Sequence, residues 1–125
     1  MKKRIATAQA PAAIGPYSQA IQVGNMTFAS GRLGVIPTTG NFPEGGVQAQ
    51  TRQSFENIIA ILTEAGLTLK NVVKTTVFLA DMDDFAAMNE VYTSFLEEPY
   101  PARSTVAVKT LPKNALVEIE VIAIN

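Results

Sequence analysis

The chain has 125 residues, of which 47% are apolar, and it carries 10 basic and 11 acidic side chains with no Cys, His or Trp. A chain of this length forms one domain and buries roughly two-thirds of its unfolded surface on folding. Without Cys or His, a disulfide framework, a thiolate metal site, a Ser-His-Asp triad and an imidazole base are all excluded. Any chemistry must therefore use carboxylates, Arg, Lys, Tyr, hydroxyls and backbone groups.

The charge balance also excludes classes of partner. A net charge of −1 gives nucleic-acid binding no electrostatic source, and the only basic run, residues 2–4, is typical of a solvated terminus. No apolar stretch approaches the roughly 20 residues that cross a bilayer, and no signal-peptide pattern follows the basic run. We expect a soluble cytoplasmic protein that binds neither nucleic acid nor membrane.

Local patterns predict two helices and at least five strands. Phe55, Ile58 and Leu62 have helical spacing, and Gly66 is typical of a residue that ends such a helix. The Gly24-Asn25 pair favours a tight turn between two strands. A further strand near residues 3–6 is an open alternative. In chain order the predicted elements are strands over 18–23 and 26–30, a long loop over 31–46, a helix from 47 to Gly66, a strand over 72–79, a helix over 85–95, and strands over 103–109 and 116–124.

Three acidic residues, Asp81, Asp83 and Asp84, come directly before the second helix. Acidic side chains at that position stabilise a helix N-terminus through capping and the helix dipole. We therefore interpret them as capping residues, and the sequence predicts no metal site.

The element order indicates an α+β fold in which one mixed or antiparallel sheet carries both helices on one face. In the last strand, residues 117, 119, 121 and 123 point one way, whereas Leu116, Glu118, Glu120, Ile122 and Ile124 point the other way. No element is left to cover this second face, which is half apolar and half acidic. An exposed apolar patch of this kind is typical of an interface, so we predict a closed oligomer whose sheets pack together.

Candidate functional residues fall in four segments. Tyr17 ends a rigid Gly-Pro loop, for which an anchored surface loop is the alternative, and Ser30-Gly31-Arg32 follows a strand. Arg103 begins a strand after a proline-fixed loop, so its guanidinium is suited to gripping a carboxylate through two parallel hydrogen bonds. A salt bridge from Arg103 to Glu118 or Glu120 of another subunit is the alternative.

Glu118 and Glu120 lie on one face of the last strand, about 7 Å apart by strand rise. Two carboxylates at this spacing loosely fit glycoside hydrolysis, but the chain lacks an aromatic sugar platform. The register of the last strands is not fixed by the sequence, and a slip of one residue would move the glutamates off the face of Arg103.

Ordered motifs along residues 4–124 resemble the Rid (YjgF-type) family, in particular its RidA-like enamine/imine deaminases. The motifs are Gly15-Pro16-Tyr17, Ser30-Gly31, Asn57-Ile58, Lys74-Thr75-Thr76-Val77-Phe78, Asp84-Phe85 with Asn89 and Tyr92, Pro101-Ala102-Arg103-Ser104, Leu111-Pro112-Lys113 and Glu118-Ile119-Glu120. The resemblance implies a single Rid-type domain over 1–125 with a chorismate-mutase-like fold, forming a homotrimer with ligand pockets between subunits.

The same resemblance implies an activity and the residues that perform it. Family members hydrolyse 2-aminoacrylate, 2-aminocrotonate and their imines to 2-oxo acids and ammonia, need no cofactor, and act on intermediates released by pyridoxal-phosphate dehydratases. In this chain Arg103 would clamp the substrate carboxylate, Glu118 would handle the water, and Tyr17 would complete the catalytic set. The implied substrate-binding residues are Arg103, Ser30, Gly31, Arg32, Phe85, Asn89 and Thr105.

Two positions depart from the family pattern. Arg32 stands where the family commonly has Gln, and Thr105 stands where many members have Cys. Thr105 excludes thiol chemistry. Arg32 either adds a second cation to the pocket, which would widen the range of substrates, or turns outward to pair with an acidic side chain.

Enamine/imine hydrolysis is the leading hypothesis because an imine carbon is already electrophilic and needs only a carboxylate anchor, a placed water and a carboxylate base. The alternative is a non-catalytic module that binds 2-oxo acids or regulates amino-acid metabolism. Ribonuclease activity fits least, since the chain has no His and no basic stripe.

Overall fold

Six strands form one mixed sheet, and both helices pack on the same face of it. The computed structural model describes all residues 1–125. The strands are β1 (Lys3–Ile5), β2 (Ala20–Val23), β3 (Met26–Leu33), β4 (Val72–Leu79), β5 (Ala102–Ala107) and β6 (Val117–Ile124), and the helices are α1 (Gly46–Glu64) and α2 (Phe85–Phe95). The predicted α+β class is confirmed, and the strand left open near residues 3–6 is β1.

The spatial order of the strands is β1-β2-β3-β6-β4-β5. Every neighbouring pair is antiparallel except β4 and β5, which run parallel and are joined through α2. Helix α1 makes the other crossover, from β3 to β4, and β6 fills the gap between those two strands. The last strand of the chain is therefore central, and β5 is an edge strand.

The core lies between the helices and the sheet. Phe55, Ile58, Ile61 and Leu62 are fully buried, so the predicted apolar stripe of α1 is confirmed. The Phe55 ring stacks on a second aromatic ring from α2 at a centroid distance of 4.8 Å. Burying such side chains contributes about 1.5–3 kcal/mol each, which fixes both helices against the sheet.

Gly66 ends α1 as predicted, but of the three acidic residues predicted to cap α2 only Asp81 makes a cap hydrogen bond, because residues 82–84 form a 3₁₀ turn before the helix and Asp84 makes no such bond. Gly66 follows α1 at φ 76°, and the amides of Gly66 and Leu67 donate to the carbonyls of Thr63 and Leu62. The Asp81 carboxylate accepts from the Asp83 amide at 2.9 Å and caps the short 3₁₀ turn that leads into α2. Neither helix combines the length and apolarity that a bilayer span demands.

The sheet face opposite the helices carries apolar side chains that no element of the chain covers. Along β6 the even-numbered residues 118–124 lie on this outer face, whereas the odd-numbered residues from 117 to 123 are buried under the helices, as predicted. Exposed apolar side chains in the sheet include Val23, Phe28, Val106 and Ile124. This is the kind of surface that packs against another protein.

Strand β3 is longer than predicted, because it continues past Ser30 to Leu33. A bulge between Ala29 and Arg32 inserts one residue into the pairing with β6, so Arg32 stands opposite Ile119 and Leu33 opposite Glu118. The predicted loop over 31–46 starts later for this reason. Other strand ends move by one or two residues, with β2 starting at Ala20 rather than residue 18 and β5 ending at Ala107 rather than residue 109.

Ser54 gives a stability prediction. Its side chain is fully buried in α1 and its hydroxyl has no hydrogen-bond partner. Ser54→Ala removes this unsatisfied group and should raise the free energy of unfolding by about 1 kcal/mol in a denaturant titration.

Thr51 supplies the matched control, because its equally buried hydroxyl donates to the Val47 carbonyl at 2.7 Å. Thr51→Val deletes a satisfied hydroxyl and should lower stability by about 1 kcal/mol. A Ser54→Ala protein that is less stable than the parent would contradict the prediction.

Candidate functional site

Arg103 lies on the edge strand β5 and points toward the helices. Its register partner in β4 is Thr75, which is fully buried and whose hydroxyl lies 2.8 Å from the hydroxyl of Tyr92 in α2. Side chains directly opposite each other share a face of the sheet, so Arg103 shares the helix face. The proline-bounded segment 99–101 leads straight into the strand.

The Arg103 guanidinium is held by α2 on three sides. Its Nη1 donates to Asn89 Oδ1 at 2.6 Å. The guanidinium carbon lies 4.6 Å from the centre of the Tyr92 ring and 5.5 Å from that of the Phe85 ring. Cation–π contacts of this kind contribute about 0.5–2 kcal/mol. No carboxylate of the chain pairs with Arg103, so its remaining N–H groups can take an anion.

Thr105 lies two residues further along β5 and therefore on the same face as Arg103. Its Oγ1 is buried and has no hydrogen-bond partner. An unsatisfied hydroxyl costs about 1–3 kcal/mol, so this group is available to a polar ligand atom beside the guanidinium. We call Arg103, Asn89, Phe85, Tyr92 and Thr105 the arginine cluster.

Glu118 belongs to a second group of residues, on the outer face. It stands opposite Leu33 in β3 and Phe78 in β4, and its carboxylate packs on the backbone of Gly31. A Cβ at residue 31 would overlap that carboxylate, which explains the need for glycine there. No ion pair holds Glu118.

Burial raises the pKa of the Glu118 carboxyl above its ordinary value. The neighbouring Glu120 raises this pKa further through like-charge repulsion, whereas Arg32 lowers it. The carboxyl group is therefore easier to protonate than an exposed glutamate.

Arg32 is buried, with only 4% of its surface exposed, and does not turn outward. Its Nε donates to the carbonyls of Ser30 and Gly31, and its Nη1 donates to the Pro11 carbonyl at 3.3 Å. Burial lowers the pKa of Arg32, while the Tyr17 phenol and the Glu118 carboxylate act in the opposite direction. Arg32 therefore lies beside both of these groups.

The loop that carries Tyr17 is tied to the same end of β3. The Ser30 hydroxyl donates to the Ser18 carbonyl at 2.6 Å, and the Tyr17 hydroxyl accepts from the Ile14 amide at 3.2 Å. The Tyr17 side chain stays half exposed. We call Tyr17, Ser30, Gly31, Arg32 and Glu118 the glutamate cluster.

The structure thus brings the predicted residues together in two clusters on opposite faces of the sheet. Arg103, Phe85, Asn89 and Thr105 meet on the helix face, whereas the other predicted residues meet around Glu118 on the outer side. Strand β4 separates β5 from β6, and the register places Arg103 opposite Thr75 but Glu118 opposite Phe78. Glu118 and Glu120 do share one face, but within one chain it is not the face of Arg103.

Two residues in or beside the clusters were not identified as site residues from sequence. Tyr92 was named only as part of a family motif, although its spacing of three from Asn89 and seven from Phe85 places it on their side of the helix. Gln19 holds the Tyr17 loop through the Pro11 carbonyl at 2.8 Å, and no local pattern indicates this contact.

One cleft, with a volume of about 640 Å³, lies away from both clusters and opens between the C-terminal ends of the helices and the segment Leu96–Pro101. A smaller cleft of about 300 Å³ borders the Tyr17 loop. Neither of these two clefts contains Arg103 or Glu118.

The raised pKa of Glu118 predicts a pH-dependent stability difference. A folded-state pKa above the unfolded value stabilises the protein at acid pH, and this stability is lost as the pH rises through the folded pKa. Glu118→Gln imitates the protonated carboxyl at every pH. The variant should therefore be more stable than the parent at neutral pH, by a margin that shrinks on acidification, in urea titrations over pH 4–8.

Glu56→Gln is the control, because it removes the same charge from the exposed surface of α1. It should not reproduce the pH-dependent gain. If Glu118→Gln exceeded the parent in stability by the same amount at pH 4 and pH 8, the raised pKa of Glu118 would be contradicted.

Known proteins resemble this chain over its whole length. The family model described as Endoribonuclease L-PSP matches residues 7–125. A RutC family protein of Pyrococcus horikoshii is 53% identical over 98% of both chains, and Reactive Intermediate Deaminase A of Arabidopsis thaliana is 50% identical over 98% of this chain and 65% of its own length. The solved structure of Escherichia coli TdcF with bound serine is 48% identical, with a TM-score of 0.93 over 98% of each chain.

The matched model, the relatives and the shared fold agree with the ordered motifs of the sequence. The chain belongs to the Rid (YjgF, Endoribonuclease L-PSP) family.

Proposed function

We propose that the chain is a hydrolytic deaminase that converts enamine/imine intermediates, such as 2-aminoacrylate, 2-aminocrotonate and their imines, to 2-oxo acids and ammonia. The observation that carries the proposal is the Arg103 guanidinium, which is fixed by Asn89 and Tyr92 yet has no carboxylate partner in the chain. A guanidinium held in this way is prepared to bind a carboxylate through two parallel hydrogen bonds.

The relatives support the same substrate class. Reactive intermediate deaminase is the name of the plant relative, and the E. coli relative holds serine, which carries an α-carboxylate and an α-nitrogen as the proposed substrates do. The intermediates themselves would come from pyridoxal-phosphate dehydratases, and the cytoplasm is the compartment we propose for the reaction.

The clusters supply the groups that imine hydrolysis requires. With the substrate carboxylate on Arg103, water attacks the imine carbon while Glu118 accepts a proton from that water and passes it to the imine nitrogen, which gives a neutral carbinolamine. Glu118 then accepts the proton of the carbinolamine hydroxyl and passes it to the nitrogen, so that the carbonyl forms, the C–N bond breaks and ammonia leaves. The Thr105 hydroxyl, which has no partner in the chain, is on the Arg103 side and is available to orient the imine N–H.

This reaction requires two copies of the chain, because Arg103 and Glu118 lie on opposite faces of one sheet. A closed homotrimer provides the arrangement if the edge strand β5 of one protomer meets the outer face of the next. The uncovered apolar side chains of that face, Phe28 and Ile124 among them, support such packing. The pockets would then lie between subunits.

Arg103 is the most direct test of the function. In a coupled assay with threonine dehydratase, the purified protein should accelerate 2-oxo acid formation. Arg103→Ala should lower kcat/KM by about 10- to 150-fold, the rate equivalent of losing a charged hydrogen-bond pair worth about 1.5–3 kcal/mol. Arg103→Lys, which keeps the charge but loses the planar fork, should fall between the two.

Arg52→Ala is the matched control, because Arg52 is an exposed arginine on α1. It should leave the rate unchanged. If the parent protein binds 2-oxobutyrate in calorimetry but accelerates no turnover, the non-catalytic binding alternative replaces the enzyme.

The position of the pocket can be tested by mixing two variants of strongly reduced activity, Arg103→Ala and Glu118→Gln. If each pocket takes Arg103 from one protomer and Glu118 from the next, about a quarter of the pockets in a random 1:1 mixed trimer contain both native residues. Co-refolding the variants should then restore about a quarter of the parent activity.

Two further measurements complete this test. Each variant refolded alone should keep its low activity, well below that of the mixture, and sedimentation should give one closed oligomer in every sample. Absence of rescue in oligomers that have demonstrably mixed, or a parent protein that is monomeric at micromolar concentration, would contradict a pocket between subunits.

A further inference from the structure

We propose that Arg32 is a positioning residue of the site, whose buried guanidinium ties the Tyr17 loop to the β3 bulge and supplies the cation beside the Glu118 carboxylate. The inference rests on the proposed function in one respect, which is that Glu118 accepts a proton from the attacking water. The placement of Arg32 itself rests on its burial and its hydrogen bonds.

A buried arginine without an ion pair needs another way to satisfy its charge. Only 4% of the Arg32 surface is exposed, and no carboxylate lies within salt-bridge distance of it. The guanidinium instead donates to three backbone carbonyls, those of Ser30, Gly31 and Pro11, at 3.2–3.3 Å. The contact with Pro11 joins strand β3 to a loop 21 residues earlier in the chain, whereas the other two stay within β3.

The Pro11 carbonyl is the shared point of attachment. It accepts from Arg32 Nη1 and also from Gln19 Nε2, and the Gln19 side chain further accepts from the Thr7 amide at 2.7 Å. Gln19 is itself buried. The loop that ends in Tyr17 is therefore held by two buried side chains, those of Gln19 and Arg32. Loss of the Arg32 contact would leave Gln19 alone to hold the Pro11 carbonyl.

The bulge in β3 explains why Arg32 is buried at all. Regular pairing after Ala29 would place residue 32 on the outer face beside Glu118, where water would solvate it. The extra residue places it opposite the buried Ile119 instead. The guanidinium thus stays within electrostatic reach of Glu118, while its Nε and Nη1 donate to backbone carbonyls.

The charges around Glu118 make this placement consequential. On β6 the neighbouring charge is Glu120, and the register partners on β4 are Phe78 and Thr76, with Lys74 further along that strand. On the β3 side Arg32 is the charged group, and the Tyr17 phenol lies beside it. Arg32 is the one cation that lowers the pKa of Glu118, against burial and Glu120.

Three variants separate the two roles of Arg32. Arg32→Gln removes the charge and the fork, Arg32→Lys keeps the charge and removes the fork, and Arg52→Gln removes one positive charge from the exposed surface of α1. The carboxyl titration of Glu118 is followed by ¹³C NMR on glutamate-labelled protein, with Glu118→Gln to assign the resonance. Hydrogen exchange of the Ile14 and Tyr17 amides reports on the loop.

We expect Arg32→Gln to move the Glu118 titration, and the acid limb of the kcat/KM profile for imine hydrolysis, to higher pH. Arg32→Lys should titrate close to the parent but exchange the loop amides faster, and Arg52→Gln should match the parent in both. A Glu118 titration unchanged in Arg32→Gln, or loop exchange unchanged in Arg32→Lys, would overturn the proposal. If Arg32→Gln does not fold, hydrogen exchange of the loop amides in Arg32→Lys decides whether the proposal stands.

The NMR and exchange results do not depend on catalysis. Absence of imine hydrolysis by the parent protein would refute the proposed function while leaving both readouts for Arg32 intact. Conversely, normal hydrolysis with an unshifted Glu118 titration in Arg32→Gln would refute the positioning role alone.

Discussion

The alternation of side chains along β6 is the constraint on which the site depends. Ile119 is fully buried under the helices, so Glu118 must project from the other side of the sheet. Strand β4 pairs with β6 on one side and with β5 on the other, and these two registers together place Arg103 on the helix face. A slip of β6 by one residue would bring the two charges to one face, but it would also turn the buried side chains of that strand, Val117, Ile119, Val121 and Ala123, away from the helices.

The same constraint links assembly to acid–base chemistry. The outer face combines exposed apolar side chains such as Phe28 and Ile124 with the partly buried Glu118. Packing a second copy against this face would remove apolar area from water, which favours association by about 25 cal/mol per Å². It would also desolvate the carboxylate further, and desolvation already makes the largest contribution to its raised pKa. Association would therefore favour the protonated form of Glu118.

Much of the fold could be predicted from the sequence because its signals are local. The apolar spacing of Phe55, Ile58 and Leu62, the glycine that ends α1 and the alternation of β6 each depend on residues close together in the chain. The strand order could not be predicted, because β6 is the last strand in the chain and yet lies between β3 and β4, which are both distant from it in sequence. The bulge at residues 29–32 was missed for a related reason, since only the register with β6 reveals the extra residue.

These two non-local features decide the geometry of the candidate site. The motifs identified Arg103 and Glu118, but whether they share a face depends on the strand between them. Likewise, the sequence left the direction of Arg32 open, and the bulge determines that it is buried beside Pro11. Residue types were therefore predictable from local pattern and family resemblance, whereas their relative placement required the complete sheet.

A chain without His has few ways to move a proton near neutral pH, and Glu118 is suited to the task only if its carboxyl is neither fully acidic nor permanently protonated. Burial and Glu120 favour the protonated form, and Arg32 opposes them. In the proposed reaction the substrate carbon of an imine is already electrophilic, so no stronger base would be needed once a carboxylate is bound at Arg103. The proposed reaction then depends on a balance of charges around one glutamate, and the chain sets that balance by burying an arginine whose hydrogen bonds go to backbone carbonyls instead of to that glutamate.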